Sequence, residues 1–203
     1  MNIMDYKDIH KGGHATLVGT GPSLHDTLPY CVGTAEKRPI RIGVNDVERY
    51  TKVDYLVMVD PIHRFEGERR DAIVNSRAVR FIGQPYCGAY PVPTIDYYLQ
   101  QPRGKTGLPN GNGEFLYYKD TPYIAMSLAY WMGISELGII GVDHTGEHWT
   151  KGGHMRIGSV ALDIRWKWDA QCKIFAEHGM RCFKLSWESL LPLPYVSYQE
   201  WVE

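Results

Sequence analysis

The sequence predicts an α/β fold, with a Rossmann-like, mostly parallel sheet flanked by helices. Three observations carry that expectation. Short apolar, β-branched runs recur along the chain, and helix-like segments separate them. Strands alternating with helices imply a mostly parallel sheet covered on both faces. At 203 residues the chain has the size of one domain. Residues 1–203 therefore read as a single α/β domain, with 84–113 as a lid or insertion.

Each element has its own signal. His14 to Gly19 reads as a short buried strand that runs into the corner "LVGTGPSLHD". Arg41 to Val44 is a second strand, ended by Asn45-Asp46. "VDYLVMVD", Val53 to Asp60, is the third. A charged helix-like segment spans Ile62 to Asn75, and Ala78 to Gly83 is the fourth strand. From Gln84 to Gly113 the chain is rich in Pro, Gly, Tyr and Asn. That length without a periodic pattern points to a lid over a site.

Regularity returns at "TPYIAMSLAYWMG". Thr121 is placed to cap this helix, Pro122 fits its first turn, and Gly133 stops it. Ile124, Leu128 and Trp131 fall on one face. Glu136 to Asp143 is a strongly apolar strand ending in a carboxylate. After a polar, glycine-containing loop, a long helix is expected from Ser159 to His178. Arg181 to Ser186 is the last strand.

Composition narrows the function. The formal net charge of -1 gives no reason to expect nucleic acid or an anionic membrane as partner. No apolar run approaches the roughly 18 residues of a membrane span. The N-terminal stretch has no apolar core of signal-peptide length. Cys31, Cys87, Cys172 and Cys182 form no C-x-x-C pair, so a closed zinc site is not expected. These features suggest a cytoplasmic chain with reduced thiols. The oligomeric state is left open.

Ligands of open α/β sheets bind beyond the carboxyl ends of the strands. There the chain places Gly19, Thr20, Gly21, Pro22 and Ser23, then Asn45 and Asp46, then Asp60 and His63, then Asp143, His144 and Thr145. The glycine corner is either a tight turn or a phosphate site. It lacks the third glycine of the dinucleotide fingerprint and the Lys-Ser/Thr of a Walker A loop. His144, His148 and His154 lie in one stretch with Asp143, but their spacing is loose for a metal site.

"VGTGPSL", "GVND", "VMVDP" and "TPYIAMSLAYWMGISELGIIGVD" occur in one order. That order resembles the bacterial sialyltransferases of glycosyltransferase family 42. It is also similar to the domain-of-unknown-function 115 family, which includes 6-hydroxymethylpterin diphosphokinases. The resemblance runs from His14 to about Leu191, except Gln84 to Gly113. It implies that Gly19, Thr20, Gly21, Pro22 and Ser23 lie against a nucleotide, and that Asn45 contacts the nucleotide sugar. It places Asp60, Thr121, Asp143 and Thr145 around the same ligand, and Gly153-His154 where those enzymes keep their general base. The chain departs from the sialyltransferases at Thr20 and Asp60 (each Asn there), Pro122 (Ser) and Thr145 (Tyr).

Three functions stay open on the sequence. The first is a glycosyltransferase that binds a nucleotide or nucleotide-sugar and a small acceptor, with His154 as base and no essential cofactor. The second is a diphosphokinase-like phosphotransferase needing Mg²⁺, held by carboxylates such as Asp60 and Asp143. The third is a binding protein that keeps the pocket without turnover.

Overall fold

The computed structural model describes residues 3–27, 38–82, 97–98, 106–110, 115, 120–145 and 159–203. Seven parallel strands form one sheet. They are β1 (His14–Val18), β2 (Ile40–Val44), β3 (Tyr55–Met58), β4 (Val79–Ile82), β5 (Tyr97–Tyr98), β6 (Glu136–Ile140) and β7 (Arg181–Lys184). The helices are α1 (Ser23–Thr27), α2 (Gly67–Val74), α3 (Thr121–Trp131), α4 (Ser159–Glu177) and α5 (Tyr198–Val202). The fold is the expected α/β, Rossmann-like arrangement.

The strand order is β5-β4-β3-β2-β1-β6-β7. The chain lays down β1 to β5 toward one edge. It then returns to put β6 on the free side of β1, with Val18 beside Gly43 on one flank and Ile140 on the other. The carboxyl ends of β1 and β6 thus meet at the topological switch point, where such sheets open a crevice.

Period-2 alternation divides the core between the two faces. Ala15 and Leu17 of β1, with Leu137 and Ile139 of β6, join the cluster built with α3 and α4. Val18 and Ile140 point the other way, into a cluster with Leu24, Val47, Leu56, Leu185 and Trp201. Trp201 lies on the Gly138 backbone, where an added Cβ would come within 2.5 Å of the indole. Its Nε1 donates to Thr16 Oγ1 at 2.9 Å, which satisfies a hydroxyl buried inside a strand.

Several boundaries differ from the sequence reading. Strand β3 is shorter than 53–60, because its exit turns at Asp60-Pro61 into a 3-10 turn, Ile62–Arg64. The charged segment then becomes α2 only from Gly67. Helix α3 is buried at nine of its eleven residues rather than on one face, because it lies between the sheet and other packed segments. Its cap is Asp120, not Thr121: Asp120 Oδ1 accepts from Tyr123 N at 2.9 Å. Among the strands and α-helices, two were not expected. One is β5, inside the proposed 84–113 insertion, and the other is α5, fixed by a Ser197–Glu200 capping box. Most of 84–113 lies outside the described residues. Among those described, no helix is long and apolar enough to cross a membrane.

Candidate functional site at the carboxyl edge of the sheet

The glycine corner after β1 is built by close packing against the end of β6. Gly19 N donates to Ile140 O at 2.8 Å and Gly21 N to Gly141 O at 2.7 Å. A Cβ on Gly19 would lie 2.3 Å from Gly141 O, and one on Gly141 would lie 2.4 Å from Gly19 O. Gly141 also has φ +69, which L side chains adopt at a cost. The two glycines let two backbones touch.

Asp143 then locks the corner. Its Oδ2 accepts from Ser23 N at 2.8 Å and its Oδ1 from Ser23 Oγ at 2.5 Å. Ser23 Oγ in turn accepts from Gly141 N at 3.0 Å. Asp143 and Ser23 are 4% and 1% exposed, so this is a buried carboxylate with its oxygens engaged. The amides of Gly19, Gly21 and Ser23, which could have cradled an anion, are spent inside the protein. A carboxylate occupies the place a phosphate would take at the start of α1.

The ends of β2 and β3 lie beside one another on the same edge, because the strands are parallel neighbours. Asn45 stands there in the left-handed region, φ 55. Its backbone N–H donates to Val57 O, but its Oδ1 is buried without a partner. Asp46 is 1% exposed and bidentate with Arg69, at 3.0 Å on both contacts. It also accepts from Arg49. That pair fastens α2 to the end of β2. Asp60 is half-exposed and pairs with Arg64 of its own 3-10 turn at 2.7 Å.

The end of β6 carries a second buried carboxylate system. Asp120 Oδ2 meets His144 Nε2 at 3.1 Å and accepts from Trp168 Nε1 at 3.2 Å, while its Oδ1 caps α3. His144 is 5% exposed and also left-handed, with φ 54. His144 Nδ1 and Thr145 Oγ1 are buried without partners. Of the three non-glycine residues with positive φ among those described, two are therefore Asn45 and His144, on this edge. Glu48 Oε2 and Arg165 Nε are also buried without a hydrogen bond; what sets this edge apart is that the unpaired atoms of Asn45 and His144 coincide with strained backbone.

The structure brings the sequence-derived residues Gly19, Thr20, Gly21, Pro22, Ser23, Asn45, Asp60, Asp143 and Thr145 to one edge of the sheet, and Thr121 follows Asp120 at the start of α3. His154 and His148 lie outside the described residues. Sequence reasoning did not single out Asp120. Its signal was the acidic residue directly before Thr121-Pro122, a strong capping position. The sequence also gave no indication that Ser23 and Asp143 bond each other from 120 residues apart.

No protein-family model matches the chain, and no curated protein matches it. Among solved structures it is similar to the MAf glycosyltransferase from Magnetospirillum magneticum AMB-1, at 15% identity and a TM-score of 0.57. The match covers 98% of this chain and 38% of that one, so the chain spans well under half of that protein's length. At this identity the likeness shows a shared fold: this chain has the α/β architecture found within a glycosyltransferase.

Proposed function

We propose that the protein is a glycosyltransferase that binds a nucleotide-sugar at the carboxyl edge of its sheet and transfers the sugar to a small acceptor. One observation carries this reading. Asn45 Oδ1, His144 Nδ1 and Thr145 Oγ1 are buried without partners on the edge that holds the β1–β6 switch point. A buried polar atom left unpaired costs about 1–3 kcal/mol, and a ligand that pairs it recovers that free energy. The fold shared with a glycosyltransferase supports the same reading.

In this proposal the corner from Gly19 to Ser23 forms a wall of the site, with Thr20 and Pro22 on it, and Asn45, Asp60, Thr121 and Thr145 surround the nucleotide. Asp143 holds the wall in place through Ser23. The base that takes the acceptor's hydroxyl proton is His154, in the glycine-containing stretch of sequence before α4. The magnesium-dependent alternative would draw on Asp60 and Asp143. Asp143 is buried with both oxygens engaged by Ser23, whereas Asp60 holds only an exposed pair with Arg64, so the Mg²⁺ arm of the test below separates the two readings.

Thermal unfolding with CMP, UDP, GDP and ATP, each with and without Mg²⁺, tests the reading. A ligand at 100 times its Kd stabilises by about 2.7 kcal/mol. A rise in Tm with a nucleoside mono- or diphosphate, independent of Mg²⁺, is expected. A rise only with ATP and Mg²⁺ would turn the assignment to phosphotransfer. With the donor in hand, His154→Ala should lower kcat about 10²–10⁴-fold and leave donor affinity unchanged.

A further inference from the structure

We propose that His144, its tautomer fixed by Asp120, accepts a hydrogen bond from a hydroxyl or amino group of the ligand. The end of β6 then meets the ligand's sugar or base and not its phosphate. The inference rests on the nucleotide-sugar reading above and names which part of that ligand faces which residues.

Three groups converge on the Asp120 carboxylate: Tyr123 N, Trp168 Nε1 and His144 Nε2. A carboxylate only accepts. The proton of the neutral imidazole therefore sits on Nε2, and Nδ1 keeps a free lone pair. Trp168 packs edge-on against the ring, with centroids 6.1 Å apart and planes at 77°. The ring is thus held in position and in tautomer, while its remaining acceptor is buried and unpaired. Its side chain is 1% exposed. A purely structural bracket needs only the Nε2 bond, and the residue that carries this one is held at φ 54, a strain of the kind that collects at functional sites.

The other unpaired atoms on this edge of the sheet share this chemistry. Asn45 Oδ1 is an acceptor, and Thr145 Oγ1 can accept or donate. Phosphate oxygens are acceptors too, so a phosphate here would set lone pair against lone pair at His144 Nδ1 and Asn45 Oδ1. The arginines of the neighbouring strand ends, Arg49, Arg69 and Arg64, are held by Asp46 and Asp60. A ribose, a hexose or an exocyclic base amine supplies the missing hydrogens.

Nitrogen-15 NMR of the histidine side chains in the full chain tests this. The free wild type should show His144 as the Nε2–H tautomer. Asp120→Asn can keep the helix cap through Oδ1 while turning an N–H donor toward the ring, at the loss of the acceptor for Trp168 Nε1, and should move the proton to Nδ1. Cytidine, uridine or free hexoses at millimolar concentration should shift the Nδ1 resonance of the wild type, and inorganic pyrophosphate should not. His144→Gln deletes Nδ1 while its amide can still reach Asp120, and should weaken nucleotide binding about tenfold. His144→Asn, whose carbonyl can stand where Nδ1 stands, should recover most of that loss and guards against a folding defect in the glutamine variant.

A wild-type ring that carries its proton on Nδ1, or on both nitrogens, would overturn the proposal. So would a shift caused by pyrophosphate alone, or no shift with any probe. If a nucleotide raises Tm while nothing moves Nδ1, this inference fails and the nucleotide reading stands. If no nucleotide raises Tm but a sugar or nucleoside moves Nδ1, the nucleotide reading fails and the acceptor role stands.

Discussion

Two buried carboxylates flank the same edge of the sheet, and they are finished differently. Around Asp143 each hydrogen bond closes on another protein group: Ser23 N, Ser23 Oγ and, through Ser23, Gly141 N. Around Asp120 the bonding stops one atom short. Its partner His144 ends in an unpaired Nδ1, with unpaired Thr145 Oγ1 on the next residue and Asn45 Oδ1 at the end of β2. A closed network returns its desolvation cost in stability, and an open one leaves that return to a ligand. The first cluster therefore reads as architecture and the second as the site.

The comparison breaks most forcefully at the glycines of the closed cluster. Gly141→Ala would drive a Cβ to 2.4 Å from Gly19 O on a backbone at φ +69. Overpacking and a left-handed alanine together should cost about 4 kcal/mol, read as a lowered urea midpoint. A loss below about 1 kcal/mol would mean that the two backbones part easily and that the corner is loose enough to admit a ligand.

Ser23→Ala should come next. It removes the hydroxyl that bonds Asp143 and leaves Gly141 N unpaired in a buried place. A loss of about 2–3 kcal/mol is expected in chemical denaturation, with nucleotide affinity retained in the folded fraction. A stable variant that has lost affinity would exchange the roles given to the two clusters.

Arg64→Ala supplies the smallest effect and a baseline. The Arg64–Asp60 pair is solvent-exposed, at 66% and 45% of the two side chains. Exposed pairs contribute little, so stability should change by less than about 0.5 kcal/mol. A larger change in the denaturation midpoint would show that Asp60 anchors the end of β3 and is not available to a ligand.

Six of the seven strands were legible in the sequence because each is a short apolar run and the helices between them force parallel pairing; β5, a pair of tyrosines, was not. The strand ends were legible as a group for the same reason. What was not legible depends on distant partners. Glycines at 19 and 21 fit a phosphate loop equally well until Gly141 and Asp143 are seen against them. Asp120 reads as loop until His144 and Trp168 are folded onto it. By contrast, α5 carried a local sign, the Ser197–Glu200 spacing of a capping box, and the capping residue of α3 was missed by one position.

The most direct test of the division between the two clusters is Asn45→Ala, measured for both urea midpoint and nucleotide affinity. Asn45 Oδ1 has no hydrogen-bond partner among the described residues, so its removal should leave stability within about 1 kcal/mol, the larger part of any loss coming from the left-handed backbone. Affinity for the nucleotide that raises the wild-type Tm should fall about tenfold. Unchanged affinity, or a stability loss as large as that of Ser23→Ala, would contradict the account.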